Sequence, residues 1–307
     1  MSPAFDSYWF SRYSYYRTMS IQRISILGTG LLGGSIGLAL KSASSDYTIT
    51  GYGHNASTIQ RAVEVGAVDH GTSDLVEAVT DAQLVILCTP VGVFGDILLK
   101  IGSALGQGAI VTDVGSTKRS VVRLAEAHLP AGVHFVASHP IAGSEKRGVE
   151  FARTDLFDKK LCIVTPTDQT NPVALETVEQ LWRQIGMRTT RLSPDDHDRL
   201  LANISHLPHL LAAALVAMQP EEALGLSGKG FLDTTRIAGG DGGLWRDILL
   251  DNRDHLAESV GLLKSQLDAV LKMLRDDQGD SLRQWLNDAA ARREQLMRDK
   301  LRELNSE

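Results

Sequence analysis

Cysteine is almost missing from this chain. Its only two, Cys88 in "LVILCTP" and Cys162 in "KLCIVTP", sit inside apolar runs. That excludes a disulfide framework and fits reduced core thiols of a cytoplasmic protein. Uninterrupted apolar sequence is scarce too. The longest stretch, "LLAAALVAM" at 210–218, falls well short of the roughly 18 residues a bilayer requires, so no membrane partner is expected. Positive charge is not in excess, with 31 Lys and Arg against 37 Asp and Glu and a net charge of −6. Without cations clustered on one face, no nucleic-acid partner is expected. Internal repeats and low-complexity tracts are also lacking.

What is present divides the 307 residues into about two domains, by the soft rule of roughly 150 residues each. Residues 1–20 stand apart: seven of the 17 aromatics fall in the first 16 residues, with no helical or alternating period. This segment lacks the apolar core of a signal peptide and reads as a disordered extension, with Met19 a natural start. From residue 21 to 191, short apolar runs alternate with helical stretches, among them "RISILG", "YTITGY", "AQLVILCTP", "GAIVTDVGS", "HFVASHP" and "KKLCIVTP". That alternation predicts a mostly parallel sheet covered on both faces. From 192 to 307 apolar residues recur every three or four positions, which predicts an all-helical domain. It opens at "SPDDHD", where Ser193 is a helix cap, Pro194 suits the first turn, and Asp195 and Asp196 complement the dipole.

The glycine run "GTGLLGGS" carries the first chemistry. Gly28, Gly30 and Gly33 have G-x-G-x-x-G spacing, after a strand and at the mouth of a helix that includes Leu31 and Leu32. In that context the motif predicts a Rossmann-like dinucleotide site, the pyrophosphate resting on the helix amino end. An acid about 20 residues further on would select NAD through the ribose hydroxyl. Here the second strand ends in Gly53, His54 and Asn55 instead. NAD and NADP both stay open, with His54 available to a 2′-phosphate or simply a solvated turn residue.

Other strands end at Thr89 and Pro90, at Asp113 to Lys118 with Ser116 between them, and at His139 and Pro140. Strand ends of an open parallel sheet share one edge, and ligands bind there. His139 is held extended by the proline after it and is suited to take a proton near neutral pH, or else to cap the sheet edge. Glu145, Lys146 and Arg147 follow closely, and the two cations read as solvated charges. In the helical half, "SHLPH" sets Ser205, His206 and His209 within one turn, with Pro208 expected to kink the helix and free a carbonyl. Two histidines three apart hint at a metal, but no Cys or carboxylate pattern accompanies them, so none is expected. Arg236 suits a carboxylate grip or an ordinary ion pair.

Taken in order, "GTGLLGGS", "VILCTP", "TDVGSTK", "SHPIAGSEKRG", "ISHLPH", "FLDTTRIA" and "WRDILLDN" resemble the prephenate/arogenate dehydrogenases of tyrosine biosynthesis, over about residues 23–280. The resemblance implies a dinucleotide-binding domain followed by a helical dimerisation domain, and hence a homodimer. It implies oxidative decarboxylation of a cyclohexadienyl substrate, with hydride passing to NAD(P). His139 would accept the proton of the substrate's 4-hydroxyl and Ser116 would orient both. Arg236 would hold a substrate carboxylate. Ser205, His206, His209 and Trp245 would line the pocket near Glu145, which would close it. "GSEKRG" looks more like the prephenate-using members than the arogenate-using ones, although Leu232 stands where some relatives carry a basic residue. A β-hydroxyacid dehydrogenase, the rival enzyme, is expected to use a lysine base in its helical domain, where this chain offers histidines. A cofactor-binding protein without turnover would leave His139 and Arg236 idle.

Overall fold

The structure is a computed structural model that describes residues 19–143 and 146–305. The expected extension, apart from Met19 and Ser20, and Glu145 lie outside the described residues.

Six strands form one all-parallel sheet: β1 (Arg23–Leu27), β2 (Thr48–Tyr52), β3 (His70–Thr72), β4 (Leu84–Leu87), β5 (Ile110–Asp113) and β6 (His134–Val136). Their order is β3-β2-β1-β4-β5-β6. The connections are α1 (Leu31–Ala43), α2 (Ala56–Glu64), α3 (Leu75–Val79), α4 (Phe94–Ile101) and α5 (Arg119–His128). Strand side chains alternate between faces. Ile24, Ile26, Leu84 and Ile86 therefore pack with Ile36, Leu40 and Trp182 on one side. Leu27, Val85, Leu87 and Val111 pack with Phe94 and Leu98 on the other. Each such side chain contributes about 1.5–3 kcal/mol by leaving water.

The expected single sheet is in fact two. Residues 134–140 read as one strand, but Ala137 separates β6 from β7 (Ser138–Pro140), which joins β8 (Leu161–Val164) and β9 (Arg188–Arg191) in a second sheet. There β7 runs antiparallel to β8. The break has a local cause: Ser138 turns back onto β5, its N–H donating to Asp113 Oδ1 (3.1 Å) and its hydroxyl to the Asp113 carbonyl (2.6 Å). Helix α6 (Pro172–Gln184) joins β8 to β9, its Asn171 cap accepting the N–H groups of Val173 and Ala174.

Beyond β9 the described chain is helical. α7 (Pro194–Leu201) starts with the Ser193 side chain accepting from Asp196 N–H. It runs through a π-helical turn, Ala202–His206, into α8 (Leu207–Ala217). Pro208 therefore widens the helix rather than only kinking it, because i→i+5 bonding accommodates the N–H that proline lacks. This helix, Pro194–Ala217, is long and apolar enough to cross a membrane by length and composition. The nine-residue run alone did not show this, because polar residues interrupt the apolar stretch without outweighing it. There follow α9 (Glu221–Leu224), α10 (Lys229–Thr235), a 3-10 turn Arg236–Gly239, and α11 (Gly242–Asp251).

By its contacts the chain forms two compact units, the first ending at Arg253. The helices from 194 to 251 are tied to the first sheet's loops by Asp198, whose carboxylate accepts the N–H groups of Lys118 (2.7 Å) and Arg119 (2.9 Å). The second unit holds α12 (Arg253–Arg275) and α13 (Gly279–Asn305). Leu262, Leu271, Leu274, Leu286 and Leu296 are exposed on these two helices.

Candidate active site

The strand order reverses between β1 and β4, and the loops leaving their carboxyl ends form the switch point of the sheet. The three glycines there do different work. Gly28 has φ +109°, and a Cβ on it would lie 2.8 Å from the Cys88 carbonyl. A Cβ on Gly33 would meet the Gly28 oxygen at 2.0 Å, so helix α1 packs tightly against the strand end. A Cβ on Gly30 would meet nothing within 4 Å among the described residues outside its own helix and chain neighbours. Helix α1 begins there with no side-chain cap and no acid in its first turn. Free N–H groups, the positive end of the dipole and open space at Gly30 fit a dinucleotide pyrophosphate.

Leu31 and Leu32 are half-buried in that first turn. Leu31 shares a cleft with Lys146 and Arg153. Thr89 has a buried hydroxyl with no hydrogen-bond partner among the described residues, and Pro90 is exposed beside it. His54 is exposed at the end of β2, with Tyr52 Oη 3.2 Å from its Nδ1. The "EKR" cations are not merely solvated. Lys146 Nζ stands 5.1 Å from the Phe151 ring centre, and Arg147 pairs with Asp241 at 2.6 Å.

His139 sits on β7 of the smaller sheet, not at the edge of the parallel one as the sequence suggested. It still reaches the switch point, because its neighbour Ser138 is bound to Asp113 at the end of β5. Beneath it is a fully buried ion pair between Lys118 Nζ and Asp113, and Lys118 Nζ also donates to the Ser138 carbonyl (2.8 Å). Deleting one partner of such a pair costs about 3–5 kcal/mol, since the other charge is stranded. Ser116 is half-buried on the loop that carries Lys118, and its hydroxyl takes no hydrogen bond from the described residues.

His139 Nδ1 lies 2.9 Å from His197 Nε2, and His197 Nδ1 lies 2.8 Å from Asp198 Oδ1. Burial, then the nearby charges of His197, Lys118 and His206, holds His139 well below the usual histidine range. The ring is therefore neutral and able to accept a proton at neutral pH. Burial also lowers His197, against the opposing pull of Asp198. Burial alone would raise Asp198, but the hydrogen bonds from His197 and from the N–H groups of Arg119 and Lys118 hold it below the usual range.

The π-helical turn brings His206 into the same region. Asn252 Nδ2 donates to the Asp198 carbonyl (2.7 Å) and lies 3.1 Å from His206 Nδ1. His206 Nε2 and His209 Nδ1 are both buried without a hydrogen-bond partner among the described residues. Burial pushes His206 down to about 4 and lowers His209 as well. Trp245 joins them, edge-on to His206 with ring centres 6.4 Å apart. Ser205 is half-buried on the same turn. Arg236 opens the 3-10 turn after α10 and is exposed.

The sequence reading missed His197, Asp198 and Asn252. The signal for the first two was an imidazole next to a carboxylate in "DDHD", whose flanking acids were credited to the helix dipole alone.

Fold and site together define a dehydrogenase that works with a dinucleotide cofactor. Comparison with known proteins narrows this. The family model described as prephenate dehydrogenase, nucleotide-binding domain, matches residues 36–191, and that described as prephenate dehydrogenase, dimerization domain, matches residues 193–288. The chain is 33% identical to prephenate dehydrogenase of Bacillus subtilis, over 89% of this chain and 76% of that protein. It is 32% identical to cyclohexadienyl dehydrogenase of Zymomonas mobilis, over 91% and 97% respectively. The crystal structure of A. aeolicus prephenate dehydrogenase with hydroxyphenyl propionate and NAD+ matches with a TM-score of 0.85 at 33% identity, over 91% of this chain and all of that one. Synechocystis arogenate dehydrogenase matches with a TM-score of 0.77 at 29% identity, over 89% and 99%. The chain belongs to the prephenate dehydrogenase family, and it is an oxidoreductase.

Proposed function

We propose that the protein converts prephenate to 4-hydroxyphenylpyruvate and carbon dioxide, with NAD+ or NADP+ as hydride acceptor. The observation that carries this is a neutral, half-buried His139 tied to the switch point where the glycine loop lies. A bound nicotinamide supplies the hydride acceptor. The chain's own residues do the rest. His139 accepts a hydrogen bond from the substrate's 4-hydroxyl and draws off its proton as hydride leaves the same carbon. The ring carboxylate departs as carbon dioxide, its bonding electrons complete the aromatic ring, and the proton returns to the phenolic oxygen. Ser116, with its uncommitted hydroxyl, orients the substrate hydroxyl. His206 and His209 present unpartnered nitrogens and Trp245 an aromatic wall to the substrate, with Ser205 on the same turn. Arg236 holds a carboxylate, and Glu145 closes the pocket.

NAD+ in the A. aeolicus relative supports NAD as the cofactor. His54 in place of an acid leaves no carboxylate at the end of β2 to repel a 2′-phosphate. Residues 192–307 form the substrate and dimerisation domain. The matched dimerization model and the exposed leucines of α12 and α13 support a homodimer in which a second copy covers these faces. The two free cysteines support a reducing, cytoplasmic setting. The test is a spectrophotometric assay of prephenate and arogenate, each with NAD+ and with NADP+. Turnover of prephenate is expected; cofactor binding without reduction by either substrate would overturn the assignment.

A further inference from the structure

His197 and Asp198 form a line behind His139. We infer that they are positioning residues that fix the proton of His139 on Nδ1 and so keep Nε2 bare for the substrate. The inference rests on His139 being the proton acceptor.

The ring protons follow from the partners, starting at the far end. Asp198 is buried. Its Oδ1 accepts Lys118 N–H and its Oδ2 accepts Arg119 N–H, at 2.7 and 2.9 Å. Backbone N–H groups only donate, so both oxygens must accept, and the group stays an ionised carboxylate at the amino end of α5. His197 Nδ1, 2.8 Å from Oδ1, therefore carries a proton and donates it. His197 is fully buried and neutral, so its Nε2 holds a lone pair. That nitrogen can meet His139 Nδ1, 2.9 Å away, only as an acceptor. His139 must then be protonated on Nδ1, which leaves Nε2 unprotonated.

The line also acts during the reaction. As His139 Nε2 takes up the hydroxyl proton, positive charge develops on the ring, opposed by burial and by the nearby Lys118 cation. The hydrogen bond through His197 to the Asp198 carboxylate offsets that opposition. It does so most when the charge is greatest, which is what lowers a barrier. No proton needs to move along the line.

The test compares kcat and KM for prephenate in the full-length protein and in four variants. His139→Asn is expected to lower kcat by about 10²–10⁴-fold. His197→Leu removes the acceptor, and a fall of roughly 10²-fold with little change in KM is expected. In His197→Gln the amide NH₂ is drawn to Asp198 and its oxygen faces His139, so at least tenfold of that loss should return. Asp198→Asn keeps its amide oxygen toward Lys118 N–H and His197 Nδ1 but removes the negative charge at the end of the line, so kcat should fall by about tenfold or more with little change in KM. Ring ¹⁵N shifts of His139 should show Nδ1 protonated in the wild type and Nε2 protonated in His197→Leu, where the Nδ1 acceptor is gone and the ring takes the tautomer a free neutral imidazole prefers. A merely structural role would not produce that exchange. If His139→Asn fails but His197→Leu turns over normally, the positioning role is overturned and the acceptor role stands. If His139→Asn turns over normally, the acceptor role itself falls. Should His197→Leu not fold, the wild-type ¹⁵N spectrum decides alone, and protonation at Nε2 overturns the inference.

Discussion

The indole of Trp245 lies flat on the imidazole of His209, with ring centres 3.5 Å apart and planes 11° from parallel. A Cβ on Gly240 would sit 2.5 Å from Trp245 Nε1 and 3.0 Å from His209 Cε1, so the 3-10 turn closes the same stack from its edge. The stack orients His209 while its buried Nδ1 has no hydrogen-bond partner among the described residues. Aromatic pairs contribute about 0.5–1.5 kcal/mol beyond their buried area. Trp245→Ala should therefore raise KM for prephenate about 3- to 10-fold, whereas Trp245→Phe should keep most of the affinity, as steady-state kinetics will show.

Arg236 should matter to binding more than to the chemical step. A charge-assisted hydrogen bond to a carboxylate is worth roughly 1.5–3 kcal/mol. Arg236→Gln is expected to raise KM by about 10- to 150-fold with kcat nearly intact, and an unaltered KM would remove it from the pocket.

The glycine loop offers a paired comparison. Alanine at Gly33 must push against backbone, and overpacking of this kind typically costs about 1–3 kcal/mol. The methyl group of alanine at Gly30 meets nothing within 4 Å among the described residues outside its own helix and chain neighbours, so thermal stability should change by about 1 kcal/mol or less. Its methyl group instead occupies the space open to the pyrophosphate, so NADH titration should show affinity falling at least tenfold. The two substitutions, three positions apart, thus separate folding from cofactor binding.

Acid should destabilise the protein through His206. Its folded pKa of about 4 lies below the ordinary 6.5. Between those values the unfolded chain binds a proton that the native state refuses, so stability falls as pH falls from about 6.5 to about 4. The linkage is on the order of 3 kcal/mol for this one group. Urea unfolding at pH 7 and pH 4.5 should show His206→Asn losing less stability on acidification than the wild type.

Some of this site can be read from the chain because its devices are local. Glycine spacing, a strand before it and a helix after it lie within a dozen residues, and the fate of Gly28, Gly30 and Gly33 follows from that order. The helix start at Ser193 and Pro194 is equally local. Other features depend on partners distant in sequence. His139 and His197 meet across 58 residues, and no periodicity records that meeting. The break at Ala137 arises because Ser138 finds better partners on Asp113 than a longer β6 would offer, a choice decided by tertiary contacts. The helices from 194 to 251 are joined to the loop of Lys118 and Arg119 through Asp198, so the first compact unit extends past the last strand.

The wide turn at Ala202–His206 carries a consequence for register. At about 100° per residue, nine positions of regular helix would leave His206 on the opposite side from His197. One surplus residue in the turn takes back roughly a quarter of a revolution and swings His206 and everything after it toward the same side. The phase of the downstream histidines is thus set by a single insertion in the helical count, so a one-residue deletion there would dismantle the substrate wall while leaving every side chain in it unchanged.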